Sequence, residues 1–456
     1  MARFTILAPT AILGYGFPST SFEQGLSHDP DLIAVDAGSA DPGPFYLGSG
    51  KSFTDAAAVR RDLALLLKAA IERNIPLVIG SAGGAGAAPH LQWTLAIVKQ
   101  LAQELQLSFR MASINADIER EQVLNAMQEE RISALSGARA LTEEALNTTD
   151  AVVAQMGVEP IQKALQARCQ VIIAGRAYDP AVFAALPMMQ GFDKGLALHL
   201  GKILECAAIA ATPGSGADCA LGVLEQDRFV LRALNSERSF TATSVAAHTL
   251  YEKAHPTLLP GPGGHLDLSR VQFEELGEGN VAVSGSRFVP AAHYNLKLEG
   301  ARRVGYRSMC IAGIRDPIMI ASIDSILQQV RSAVSELCTK EIEQGSLHFH
   351  IYGKDAVMGP QEPHRDPVAH ELGVLIDAVA PDPSAAATLC SVTRSTLLHY
   401  GYEGRIATAG NLAFPFSPSD LAAGEVYEFS VYHLMETTDP LSLFPVVIED
   451  IAHDHA

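Results

Sequence analysis

The chain is poor in several things at once, and each shortage excludes something. Aromatic residues make up 6% of 456, with one tryptophan, and the 33 basic residues are outnumbered by 51 acidic ones, giving a formal net charge of -18. Nucleic-acid binding needs clustered lysine and arginine, so no nucleic-acid partner is expected. A small anionic substrate stays open, because one arginine can hold it. The six cysteines (Cys169, Cys206, Cys219, Cys310, Cys338 and Cys390) stand far apart with no C-x-x-C, which argues for reduced thiols and against a disulfide framework or a zinc site. No apolar run reaches about 18 residues, and the one after Met1 is too short for a signal peptide. No membrane partner is expected, and the location is expected to be cytoplasmic. The fingerprints G-x-S-x-G, H-E-x-x-H, the EF-hand loop, the P-loop and G-x-G-x-x-G are all missing.

What is present is apolar: 48% of the residues are hydrophobic and 18% charged, enough to bury large cores in two domains. In residues 1–215 short apolar runs at 4–8, 32–35, 77–79, 109–113, 151–156 and 171–174 alternate with helical patterns. That alternation predicts an α/β domain with a doubly wound, mostly parallel sheet. Thr54 and Asp179 read as helix N-caps, and Pro89, Pro160 and Pro180 suit first-turn positions. The alternation stops at Pro213-Gly214-Ser215-Gly216, where residues 216–456 begin a second, α+β domain. In it, residues 297–314 read as strand, turn, strand, and residues 323–342 as one amphipathic helix.

Ligands in such sheets bind beyond the carboxyl ends of the strands. Five predicted ends carry unusual residues. Gly14-Tyr15-Gly16 follows the first strand, Asp36-Ala37-Gly38-Ser39 the second, Gly80-Ser81-Ala82-Gly83-Gly84-Ala85-Gly86 the third, Asn115 and Asp117 the fourth, and Gly175-Arg176-Ala177-Tyr178-Asp179 the sixth. The glycine loop, opening onto the helix that starts near Pro89, reads either as an anion site built from Gly80, Ser81, Gly83, Gly84 and Gly86 or as a tight turn packed against that helix. Asp36 reads as a general base or an ordinary Asx-turn. Arg176 at the end of a buried strand must find an acceptor, either a substrate carboxylate or an internal pair with Asp179 or Asp36. Asp179 reads as a catalyst or, before Pro180, as a helix cap. Glu205 reads as a catalytic acid or as the i,i+3 partner of Lys202 on a mostly apolar helix. The candidate catalytic set is therefore Asp36, Arg176, Asp179 and Glu205. Candidate anion-binding residues are Ser39, Gly80, Ser81, Gly83, Gly84, Gly86, Asn115 and Arg176.

The second half offers less. His348 and His350 share one face of a predicted strand but lack a third ligand at a metal-binding spacing. Lys297 and Glu299 likewise share a strand face, where they pair with each other. His248 reads as a core histidine. No cofactor is named by these residues: a divalent cation at Asp36 or Asp179 stays open, the metal is unknown, and no NAD or flavin motif is present.

Several of these stretches, namely Asp36 to Ser39 with Asp41-Pro42-Gly43-Pro44, the Gly80 to Gly86 loop, Ala174-Gly175-Arg176-Ala177-Tyr178-Asp179, Gly201-Lys202-Ile203-Leu204-Glu205-Cys206 and Lys297-Leu298-Glu299-Gly300-Ala301, resemble the acyclic terpene utilisation AtuA-like family. The resemblance covers roughly residues 5 to 320. The segment at 426–445, within a companion-like region of about 340–456, is similar to a small domain that often accompanies this family. The resemblance implies a place in terpenoid and carboxylic-acid breakdown, with no residue roles attached. Together with the acids, the arginine and the glycine loop, it gives the expectation of a lyase, either hydratase/dehydratase or carbon–carbon, acting on a small carboxylic acid or its CoA thioester. A phosphate- or nucleotide-using transferase or ligase, and a non-catalytic ligand-binding subunit, are the alternatives. A chain of this kind is expected to form a homo-oligomer.

Overall fold

The computed structural model describes residues 2–38, 43–365 and 368–452; Ser39 and Asp41 lie outside the described residues. The chain divides into two compact units, Met1–Arg302 with Phe429–Ala456, and Arg303–Glu428.

In the first unit the early strands are β1 (Phe4–Ala8), β2 (Leu32–Asp36), β3 (Leu77–Gly80), β4 (Phe109–Ile114), β5 (Ile132–Ala134), β6 (Ala151–Ala154) and β7 (Val171–Ala174). They are followed by β8 (Ala220–Leu224), β9 (Arg228–Ala233), β10 (Leu258–Gly261), β11 (Gly264–Asp267), β12 (Gln272–Gly277), β13 (Asn280–Ser284) and β14 (Arg287–Pro290). A long strand, β15 (Tyr294–Ile314), carries the chain into the second unit, which holds β16 (Ser346–Tyr352) and β17 (Leu372–Ala380). Strand β18 (Asp420–Thr437) returns to the first unit, which ends with β19 (Val446–Ile451).

The large sheet has ten strands in the order β12-β13-β9-β8-β1-β2-β3-β7-β4-β19. Its middle is parallel, β1 to β2, β2 to β3, β3 to β7 and β7 to β4. The flanks are antiparallel, so the sheet is mixed rather than mostly parallel. Strands β1, β2, β3 and β7 are buried throughout, as continuous apolar runs covered on both sides should be. Leu32 and Ala34 pack into one core and Ile33 and Val35 into another, the period-2 signature of a strand with two covered faces.

Three expectations about individual strands change. The run at 151–156 does not join this sheet. Strand β7 sits between β3 and β4, and β6 instead pairs antiparallel with β15, Glu299 opposite Val153. An apolar run of four residues fits either partner, so its period cannot choose between them. The strands after Pro213 do not found a separate sheet at residue 216: β8, β9, β13 and β12 extend the first one. Residues 297–314 form one strand with no turn, since β15 is long enough to pair with β6 early and with β17 later. Pro260 to His265 is a hairpin joining β10 and β11, with Gly263 at φ +72° after Pro262, the residue pair of a type II turn.

In the second unit β17 lies between β16 and the later part of β15, and the helices Ile323–Leu337 and Pro383–His399 contribute to one apolar core with them. The expected helix at 323–342 is interrupted, with Thr339–Glu343 a separate short helix after Cys338.

Candidate active site: a buried charge cluster

Because β2, β3, β7 and β4 are parallel neighbours, Asp36, the glycine loop, Arg176 and Asn115 all leave the sheet at one rim. Asp36 stands opposite Gly80 in the register. The β3 loop is fastened to the end of β7 by Ser81 N–H to Gly175 O at 3.0 Å and by Arg176 N–H to Gly86 O at 3.0 Å. A Cβ on Gly86 would lie 2.2 Å from the Arg176 backbone nitrogen, so only glycine fits there.

That close packing decides what the glycines do. The N–H of Gly84 donates to Ser81 O and that of Gly86 to Ala82 O. Those two amides close the loop on itself instead of facing a ligand, contrary to the anion-cradle reading for Gly84 and Gly86. Gly80 leaves room for Val182, and Gly83, at φ +64°, for His90. Ser81, itself at φ +49°, turns its hydroxyl oxygen to accept from Arg176 Nη1 and from the Ala177 N–H, both at 3.2 Å. Asn115 also stays apart: its side-chain oxygen accepts from the Asp117 N–H at 3.4 Å, and its own N–H donates to Pro445 O.

Arg176 is 4% exposed, and its acceptor is neither aspartate alone. Nε donates to Glu299 Oε2 at 2.8 Å and Nη2 to Oε1 at 3.5 Å, while Nη1 lies 3.6 Å from Asp179 Oδ1. Glu299 comes from β15 and also receives Lys297 Nζ at 2.8 Å and Gln155 Nε2 at 3.3 Å. Burial opposes ionisation of Glu299, but Arg176 and then Lys297 outweigh it and hold the carboxyl at about 2.

On the other side of Arg176 the balance reverses. Asp179 is the first residue of the helix Asp179–Met189 and Tyr178 is its N-cap, so Asp179 has no capping bond to make. Its Oδ1 is buried without a hydrogen-bond partner. The helix Lys194–Leu204 ends at Glu205, and Lys202, 3% exposed, is ion-paired with that carboxylate. Glu205 and Asp179 also share a side-chain hydrogen bond. Two carboxyls can bond this way only if one keeps its proton. Burial first, then the Asp179 charge, push Glu205 up to about 8 against the pull of Lys202. Asp36 accepts from the Gly38 N–H at 3.2 Å, the expected Asx-turn, and burial and then Asp179 also raise its pKa. Burial and the neighbouring Lys202 charge push Lys253 down.

The cluster therefore gathers Asp36, Ser81, Arg176, Asp179 and Glu205, five of the residues singled out in the sequence. It adds Glu299 and Lys297, which had been paired only with each other, and Lys253 and Tyr178. Burial, then Glu205 and Asp179, raise the pKa of Tyr178, and Cys206 is raised in the same way, so neither ionises readily. His199 is fully buried between Ser286 and Thr249 hydroxyls and is driven down to about 3 by burial and Lys202. His248 is buried too, but its Nε2 has no partner.

Among the described residues no group of three or more His, Cys, Asp or Glu side chains is arranged to hold a metal ion, and His350 lies 3.6 Å from Asp377. All six cysteines are free thiols. No helix among the described residues is long and apolar enough to cross a membrane.

A family model described as acyclic terpene utilisation family protein AtuA matches residues 55–414. The chain belongs to the AtuA family. In this AtuA-family chain the match takes in Arg176, Asp179, Lys202, Glu205 and Glu299, and it runs past residue 340 into the region likened to the accompanying small domain. No curated protein and no solved structure matches the chain.

Proposed function

We propose that this AtuA-family chain is a lyase of the hydratase/dehydratase or carbon–carbon type, which moves protons on a small carboxylic acid or its CoA thioester. One observation carries the reading: Glu205, held protonated to about pH 8, is hydrogen-bonded to Asp179 inside a rim of buried charges. A carboxyl whose pKa is raised to the working pH range can give and take a proton at that pH, which is what elimination, hydration and cleavage beside a carbonyl require. Asp179, whose Oδ1 accepts no hydrogen bond and lies 3.6 Å from Arg176 Nη1, is the base of the pair, and Glu205 is the acid. Lys202 supplies positive charge for an enolate or carboxylate oxygen. Arg176 is a positioning residue in this reading, since Glu299 occupies its fork, Ser81 accepts from Nη1, and Asp179 is held 3.6 Å from that same nitrogen.

The alternative of a phosphate- or nucleotide-using enzyme loses its main support, because the Gly84 and Gly86 amides bond within the loop. A soluble chain forming a symmetric homo-oligomer in the cytoplasm fits the same reading. The test is Glu205→Gln on an acid substrate found by screening carboxylates and their thioesters. Turnover should fall about 10²–10⁴-fold, the usual worth of a general acid or base. Unchanged turnover would remove the proposal.

A further inference from the structure

A cavity of about 220 Å³ lies beside the cluster, between Tyr178, the β10–β11 hairpin and the start of β15. Its polar lining includes Tyr178, Gln155 and Lys297, and its apolar walls include Leu135, Pro260 and Leu434. Every one of those three polar groups has N–H or O–H to donate. Lys297 gives one proton to Glu299 Oε1 at 2.8 Å and lies with its ammonium 4.4 Å from the Tyr432 ring centre, which leaves a further N–H. Gln155 gives one amide proton to the same carboxylate. The Tyr178 hydroxyl lines the cavity, and its raised pKa keeps its O–H a donor. The hairpin is shaped to this ring: a Cβ on Gly261 would lie 2.8–2.9 Å from the ring and hydroxyl of Tyr178.

A site with donors at one end and hydrocarbon at the other selects an acceptor group carrying a short apolar chain. We propose that this cavity is the acid-binding pocket, in which Tyr178 and Lys297 hold the carboxylate of a short-chain acid while Leu135, Pro260 and Leu434 enclose its chain. The proposal rests on the acid–base reading above and adds where the substrate lies. Tyr178 sits next to Asp179 in sequence and feels the charges of Asp179 and Glu205, so an acid held by its hydroxyl is presented to the proton-carrying pair. The small volume sets the chain length, and donors that include an ammonium favour a charged carboxylate over a neutral alcohol.

The test is binding of hexanoate by calorimetry, which needs no turnover, with 1-hexanol as the uncharged control. Tyr178→Phe removes only the hydroxyl and keeps the ring, and Ala291→Trp fills the cavity from an exposed wall position. Hexanoate should bind the unmodified protein, hexanol about ten-fold or more weaker; Tyr178→Phe should lose about ten-fold in affinity, the worth of one hydrogen bond to a charged group, and Ala291→Trp at least as much by occupying the cavity. Hexanoate binding that is undetectable, matched by hexanol, or unchanged in both variants would overturn the pocket. The acid–base reading fails by a different result, full turnover in Glu205→Gln, so the two can fall separately.

Discussion

The two sides of the buried cluster are built from the same residue types and end in opposite electrostatic states. On one side Glu299 meets Arg176 and Lys297 together, and the carboxyl is held at about 2. On the other, Asp36, Asp179 and Glu205 act on one another with Lys202 on Glu205 and Arg176 no nearer than 3.6 Å to Asp179, and a carboxyl keeps its proton up to about 8. The ratio of cations to carboxylates decides which. Where cations are in excess, burial strengthens an ion pair; where carboxylates are in excess, burial forces a proton to stay. The first arrangement holds the rim together, and the second stores something a reaction can use.

Substitutions can break this contrast. The largest effect expected is on the proton-storing side: Glu205→Gln should lose about 10²–10⁴-fold in turnover while keeping the same thermal unfolding within a few degrees, since glutamine preserves the shape. On the paired side the order reverses. Glu299→Ala leaves Arg176 buried without its fork partner and should destabilise by about 3–5 kcal/mol, measured by denaturant unfolding. Ser81→Ala removes the acceptor for both Arg176 Nη1 and the Ala177 N–H, and should cost about 1–3 kcal/mol.

The pH profiles sharpen the comparison further. A carboxyl whose folded pKa is raised binds more protons folded than unfolded between 4.5 and about 8, so the Glu205 contribution to stability falls as pH rises through that window. Glu299, depressed to about 2, contributes stability above its unfolded value of 4.5 that is lost as pH falls toward 2. Denaturant midpoints against pH should flatten between 5 and 8 in Glu205→Gln only. Turnover in the unmodified chain should fall as pH rises through about 8.

Much of the scaffold was legible because it rests on local pattern. The runs at 4–8, 32–35, 77–79, 109–113 and 171–174 are short, apolar and bounded by glycine or polar residues, and all five are central parallel strands. Lys202 with Glu205 and Lys297 with Glu299 were legible as pairs from their spacing. What the sequence hides is long range. The acceptor of Arg176 is 123 residues away on a strand that reaches the rim only because β6 leaves the main sheet to pair with β15. Asp179 was credited with a helix cap, and a shift of one residue, the ordinary uncertainty of a helix start, frees its carboxyl for the cluster. The glycine loop reads as an anion site once it is set beside Asp36, Asn115 and Arg176 on one rim, whereas the approach of Gly86 to the Arg176 backbone favours close packing. Tyr178 and Lys253 carry no local signal, since their importance comes from neighbours brought by the fold.

In this reading one side of the cluster holds a proton that the other side cannot. Infrared spectroscopy of the carbonyl stretch of protonated carboxyl groups, compared between the unmodified chain and Glu205→Gln across pH 5 to 9, tests it without a substrate. The unmodified chain should show a protonated-carboxyl component at pH 7 that titrates away near 8 and is missing in Glu205→Gln, whatever Asp36 adds to the band. A spectrum at pH 7 that is the same for both proteins would contradict it.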